Sequence, residues 1–361
     1  MDGSPAFTHE VCVPGRVNLI GEHTDYQGGL CLPIAIERAT RVRFSVAPSA
    51  ETRLRSEQFV GEAIVGPDTS LDSYVGTEWG QAIVAVRIAL TERGHRYSPI
   101  FGTIDSTVPL GSGLSSSAAL NVALALAMTT SAGAPIAGTE LALVAQRAEH
   151  VSGVPCGIMD QMACVHGQAN HALLLDCTDL SIAPIAMPNG VAVIVVHSGL
   201  PRALADSAYA QRRTAVEAAA ERLGIPTLRT ATLDQVIDDP YAHHVVSENV
   251  RVMQFVDAAR LGDTRRMGTL LDASHASLAD DFMVSTPELD VLTDLLRSEG
   301  AFGARLTGAG FGGCVIALSV SADADGIAQR AAERYRALTN LQPTPFVTTA
   351  TSGATVIELP R

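Results

Sequence analysis

The apolar positions of this chain change period several times. Short runs such as "RVNLI" and "LCLPIAI" flank the polar loop "GEHTDYQGG", and "TRVRFSVAP" alternates with period two, so these read as strands. Residues 80–93 carry a helical spacing, and "FGTIDSTVPL" reads as a strand entering a glycine–serine loop. Residues 115–131 form an apolar helix that ends near Gly133 and Pro135, and "GTELALVAQRAEHVSG" forms another, with Thr139 as its expected N-cap. "HALLLDC" and "VAVIVVHS" are strands on either side of "APIAMPNG", a turn-rich stretch that marks a candidate domain boundary. Helical periodicity dominates from Ala203 to Arg297. Strand, glycine loop and strand follow in "GARLTGAGFGGCVIALSV", then the helix "GIAQRAAERYRAL" and a closing strand "ATVIEL". The pattern predicts an α+β fold of sheet and helix layers without internal repeats.

Composition narrows the chemistry. The 361 residues carry a net charge of −13, with no dense arginine run, which argues against nucleic acid and anionic membrane surfaces as partners. All 25 basic residues are arginine. Without lysine, Schiff-base chemistry and a lysine-dependent phosphate loop are both excluded. Cys12, Cys31, Cys156, Cys164, Cys177 and Cys314 are scattered with no CxxC pair, which predicts reduced thiols. The start "MDGSPAFTHEVCV" lacks the basic and apolar regions of a secretory leader, and no run of about 18 apolar residues predicts a membrane span. The expected setting is the cytoplasm.

Four stretches carry candidate chemistry. In "LGSGLSSSAALNVALALA" the glycines and serines precede a helix, whose free N–H groups and dipole can hold phosphate without lysine; a serine-capped turn is the alternative. Arg16, Glu22, His23 and Asp25 lie close together beside strands and suit a polyhydroxylated ligand such as a sugar; a solvated turn is the alternative. A metal held by His23 and Asp25 lacks a third ligand nearby. Glu149 ends one helix and Asp160 opens another, a pair that can hold a cation and accept a proton; otherwise Asp160 is a cap and Glu149 a surface charge. "TGAGFGGC" enters a strand rather than a helix, so it is not a dinucleotide fingerprint, and a glycine turn packed against another loop fits.

Taken together and in order, "GRVNLIGEHTDY", "PLGSGLSSSAA", "CGIMDQ" and "LTGAGFGGC" resemble the motifs of the GHMP family of small-molecule kinases, within it the galactokinase branch. "HALLLDC" and "SHASLADDFMVSTPELD" add to that resemblance. It implies a two-domain architecture with the site in the cleft between an N-terminal unit 1–185, completed by the closing segment 345–361, and a C-terminal unit 186–344. It implies ATP-dependent phosphorylation of the anomeric hydroxyl of galactose, with Mg²⁺ as cofactor and no obligatory protein partner. Asp160 would be the base and Arg16 would stabilise the transition state. Glu22, His23, Thr24, Asp25, Gly157 and Tyr209 would serve the sugar. Gly111, Ser112, Gly113, Leu114, Ser115, Ser116 and Ser117 would cradle the ATP phosphates, and Ser117 with Glu149 would hold Mg²⁺. The resemblance leaves open a kinase of N-acetylgalactosamine or arabinose, or a sensor that binds sugar and ATP without turnover. The chain departs from the family pattern at 197–208, which lacks an asparagine-rich segment, between Glu149 and Asp160, about one residue shorter, and around Trp79 on the adenine side.

Overall fold

The computed structural model describes residues 7–200 and 205–360. Part of the leader reading (1–6) and part of the 197–208 departure (201–204) lie outside the described residues. The fold is a two-domain α+β architecture, with three sheets among the described residues. The largest has the strand order β13 (Thr355–Glu358), β1 (His9–Asn18), β3 (Pro33–Val46), β6 (Ile100–Ser106), β4 (Thr52–Ser56), β5 (Glu62–Val65). Its neighbours are antiparallel except β4 with β6. The second runs β10 (Gly303–Thr307), β11 (Cys314–Val320), β9 (Val191–His197), β12 (Thr344–Thr348), all antiparallel. The third is small: β2 (Leu30–Cys31), β7 (His171–Asp176), β8 (Ser181–Ala186).

Helices α1 (Gln81–Glu92), α2 (Ser116–Ser131) and α3 (Gly138–Val151) share a core with Val11, Val13, Val42 and Phe44 of the first sheet. The α2 sequence is apolar nearly all round because the helix is buried inside this layer, with eleven of its side chains out of solvent. Helices α7 (Thr264–Asp280), α8 (Pro287–Ser298) and α9 (Ala324–Thr339) pack on the second sheet, and α5 (Ala205–Leu223) and α6 (Pro240–Leu261) add side chains to the same core. There β9 sends Ala192, Ile194 and Val196 to one core, and Val193 and Val195 to another shared with Val17, Leu19 and Ile34 of the N-terminal half. A strand covered on both faces needs apolar residues at every position, which explains the unbroken run in "VAVIVVHS". One apolar core therefore spans both halves.

Three expectations change. Thr139 does not cap α3: the N-cap position is Ala137, without a side-chain bond, and the Thr139 hydroxyl faces His166 Nε2 at 3.3 Å. The first half of "APIAMPNG" belongs to β8, with Pro184 tolerated because β8 is an edge strand. The closing segment 345–361 divides: β12 joins the second sheet, and only β13 completes the first, beside β1. Among the described residues no helix is long and apolar enough to cross a membrane, and none of the six cysteines is in a disulfide.

Candidate active site

The site begins with an irregularity in β1. The register against β3 shifts between Pro14 and Arg16, a bulge that re-aims the next side chain. Gly15 sits in it because a Cβ there would stand 2.7 Å from the Leu114 carbonyl oxygen. The phosphate-type loop therefore packs directly on β1, and the Arg16 N–H donates to that carbonyl at 3.2 Å. The buried Arg16 guanidinium places Nε 2.8 Å and Nη2 2.5 Å from Asp160 Oδ1, while Nη1 donates to the Gly113 carbonyl at 2.6 Å. One arginine thus ties the carboxylate to the glycine–serine loop.

Asp160 lies in the first turn of α4 (Met159–His166) and does not cap it: the N-cap position is Ile158, with no side-chain cap bond. Its Oδ2 accepts a hydrogen bond from Ser115 Oγ at 2.5 Å. Glu149 is no surface charge. It is 5% exposed at the end of α3, and burial followed by hydrogen bonds from Ser117, the charge of Asp160 and Asn121 set its titration, with a net upward push. Ser117 and Asn121 stand one turn apart on α2, so both present the same face to this carboxylate. Among the described residues no arginine or histidine pairs with Glu149, and no group of three His, Cys, Asp or Glu side chains forms a closed metal site.

The loop after β1 carries the polar cluster. Glu22 is buried; its Oε1 accepts from Thr307 Oγ1 at 3.0 Å and Gly308 N at 2.8 Å and stands 3.1 Å from Arg305 Nη2. The third glycine motif is indeed a turn packed against another loop, and Glu22 is what it packs on. Removing one partner of a buried pair such as Arg305 and Glu22 leaves an uncompensated charge, a cost of about 3–5 kcal/mol. His23 adopts a left-handed φ of 60° and lies against Phe282 (4.6 Å) and Tyr209 (5.6 Å), its Nδ1 3.1 Å from Tyr26 Oη. Burial, then the neighbouring His244, lowers its pKa to about 3, so the ring is neutral. Gly157 lies against Asp25, where a Cβ would fall 1.7 Å from Oδ2; what its missing side chain admits in this structure is that carboxylate.

Burial, then the charges of Asp160 and Glu22, raise the Asp25 pKa to about 6 from an ordinary 3.8. Between those values the folded chain holds a proton that the unfolded chain has lost, so stability from this group falls as pH rises through the window. Asp25→Asn is expected to gain melting temperature relative to the parent between pH 4 and 6.5. Parallel melting curves over that range would refute it.

Arg16, Glu22, His23, Asp25, Gly111, Gly113, Ser115, Ser116, Ser117, Glu149, Gly157, Asp160 and Tyr209 line one cleft of about 370 Å³. Three expected residues do not. Thr24 is fully buried, its hydroxyl bonded to the Gly21 and Leu30 carbonyls, so it closes the loop rather than lining the cleft. The Ser112 hydroxyl donates to the Pro109 carbonyl at 2.7 Å, and the Leu114 side chain is in the core; both shape the loop. The cleft also takes Tyr26, Cys156, Gln161, Gly308 and Ala309, which reading by sequence missed. Gly308 and Ala309 had a signal, the glycine motif itself, but its meeting with Glu22 is a long-range contact.

The chain matches three family models: GHMP kinases N terminal domain over residues 81–168, the galactokinase galactose-binding signature over 3–46, and GHMP kinases C terminal over 255–337. It is 42% identical over 359 residues to a galactokinase of Roseiflexus sp. (strain RS-1), covering 95% of this chain and 91% of that protein. The solved structure of Lactococcus lactis galactokinase complexed with galactose superposes with a TM-score of 0.90 at 30% identity, over 96% of this chain and 95% of that one. Methanococcus jannaschii mevalonate kinase shares the fold, with a TM-score of 0.71 at 18% identity over 98% of this chain and all of its own.

Proposed function

We propose that this chain, which belongs to the galactokinase family of GHMP kinases, transfers the γ-phosphoryl group of ATP to the anomeric hydroxyl of galactose, giving α-galactose 1-phosphate and ADP. The observation that carries the reading is the meeting, in one cleft, of Asp160 and Arg16 with the galactose-signature residues and the glycine–serine loop. The cleft lies between the units 1–185 and 186–344. Phosphoryl transfer needs positioning and charge neutralisation more than covalent chemistry. Asp160 accepts the proton of the anomeric hydroxyl as that oxygen attacks the γ-phosphorus and the bond to ADP breaks. Arg16 supplies positive charge beside the base, and the free N–H groups at the start of α2 receive phosphate oxygens. Glu22, His23, Asp25 and Tyr209 hold the sugar. ATP as co-substrate and six cysteines outside any disulfide support a cytoplasmic setting.

The residues present suit Mg²⁺. Glu149 is a buried carboxylate with neutral donors and no cationic partner among the described residues, and the Ser117 hydroxyl stands beside it. When bound there, the ion neutralises charge on the β- and γ-phosphates. Glu149→Ala is expected to raise the Mg²⁺ concentration needed for half-maximal turnover while galactose affinity stays within a few-fold. Superimposable Mg²⁺ titrations would remove Glu149 from this role. The reaction itself is tested by ATP turnover over a hexose panel, with ³¹P NMR fixing the phosphate position; phosphate anywhere but C1 refutes it.

A further inference from the structure

We infer that Ser115 is a positioning residue that aims the Asp160 carboxylate, and not a phosphate ligand of the loop in which it lies. The inference rests on Asp160 being the base. Ser115 occupies the N-cap position of α2, where serine ordinarily accepts a hydrogen bond from the first turn, yet its side chain makes no such bond. Its backbone is left-handed, with φ 65° and ψ 42°, a conformation that strains a residue bearing a Cβ. What this conformation achieves is direction: the hydroxyl points at Asp160 Oδ2, 2.5 Å away.

The two oxygens of Asp160 are then fixed from opposite sides. Oδ1 takes Nε and Nη2 of Arg16, and Oδ2 takes Ser115. Held at both ends, the carboxylate cannot rotate about its Cβ–Cγ bond, while Oδ2 keeps a lone pair for the sugar proton. A serine hydroxyl has one hydrogen. Spent on Oδ2, it is not available to a phosphate oxygen, which is itself an acceptor. Ser112 is likewise spent, on Pro109, and Ser117 gives its proton to Glu149, so the hydroxyl proton left for ATP is that of Ser116, while Ser117 keeps its oxygen lone pairs for the metal.

The test compares Ser115→Gly, Asp160→Asn and the double variant by steady-state kinetics and melting temperature. Glycine suits a left-handed backbone, so Ser115→Gly keeps the loop conformation and is expected to melt no lower than the parent. Its kcat is expected to fall about 10- to 100-fold, part of the roughly 10²- to 10⁴-fold that a general base supplies, with KM for galactose and for ATP within twofold. In the Asp160→Asn background the same substitution is expected to change kcat less than twofold, because Ser115 acts through that carboxylate. Ser115→Ala, which keeps the Cβ, should show the same kcat loss and a lower melting temperature than Ser115→Gly. A merely structural residue cannot give slower turnover with undiminished stability. Unchanged kcat, a tenfold rise in the ATP KM with kcat retained, or losses that multiply in the double variant would each overturn the role of Ser115 alone. Parental kcat in Asp160→Asn would instead remove the base, and this proposal with it.

Discussion

Asp160→Asn is expected to lower kcat by about 10²- to 10⁴-fold, the usual range for a general base, with galactose and ATP affinities within a few-fold of the parent. The substitution is nearly isosteric, so Arg16 and Ser115 keep a partner of the same shape, while proton acceptance and the negative charge facing Arg16 are lost. An interaction that matters only in the transition state shows in kcat and not in binding. Arg16→Ala should also lower kcat, and the double variant should lose less than the product of the single losses, because the guanidinium acts partly through the carboxylate it holds. Asparagine is itself a good helix cap, so a capping role for Asp160 would make the substitution nearly silent. Calorimetric sugar affinity beside kcat checks the prediction, and a kcat within about threefold of the parent would end the general-base assignment.

Galactose is expected to exceed glucose, its C4 epimer, in kcat/KM by up to about 10⁴- to 10⁵-fold, the range open to a site built to hydrogen-bond a hydroxyl. The size follows from how little the polar groups of the cleft can move. Asp25 is wedged against the Gly157 backbone, Glu22 is pinned by Arg305, Thr307 and Gly308, and His23 is packed at a tilt against Phe282 and Tyr209. Tyr209 in turn meets Tyr26 edge to face at 5.9 Å. Groups fixed in this way cannot swing to meet a misplaced hydroxyl, and each one left unpaired keeps its desolvation cost of about 1–3 kcal/mol. Gly157→Ala would push the Asp25 carboxylate aside and should erode this preference more than it erodes ATP binding. Equal kcat/KM for the two sugars would sink the galactose assignment and leave the kinase chemistry standing.

Local chemistry wrote much of this protein into its sequence. Uninterrupted apolar runs announced α2 and β9, because elements covered on all sides must be apolar on all sides. Glycines next to serines announced the turn that opens α2, since left-handed turns and a helix start leave a local composition. Edge strands were less legible: β5 (Glu62–Val65) and β12 (Thr344–Thr348) sit at sheet borders, where half-exposed, proline-tolerant segments carry a weak alternation. The roles of individual side chains within a motif were least legible of all. In "EHTD" every residue can hydrogen-bond, yet Thr24 spends its hydroxyl on the loop's own carbonyls while Asp25 faces the cleft. In "SSS" the first hydroxyl turns to Asp160, 45 residues away, and the third to Glu149. Sequence determined which hydrogen-bonding groups exist and roughly where they cluster. Which partner each one takes was decided by the packing of β1, α2, α4 and the Gly308 turn around one cleft, because a hydroxyl has a single proton to give and only the assembled fold decides who receives it.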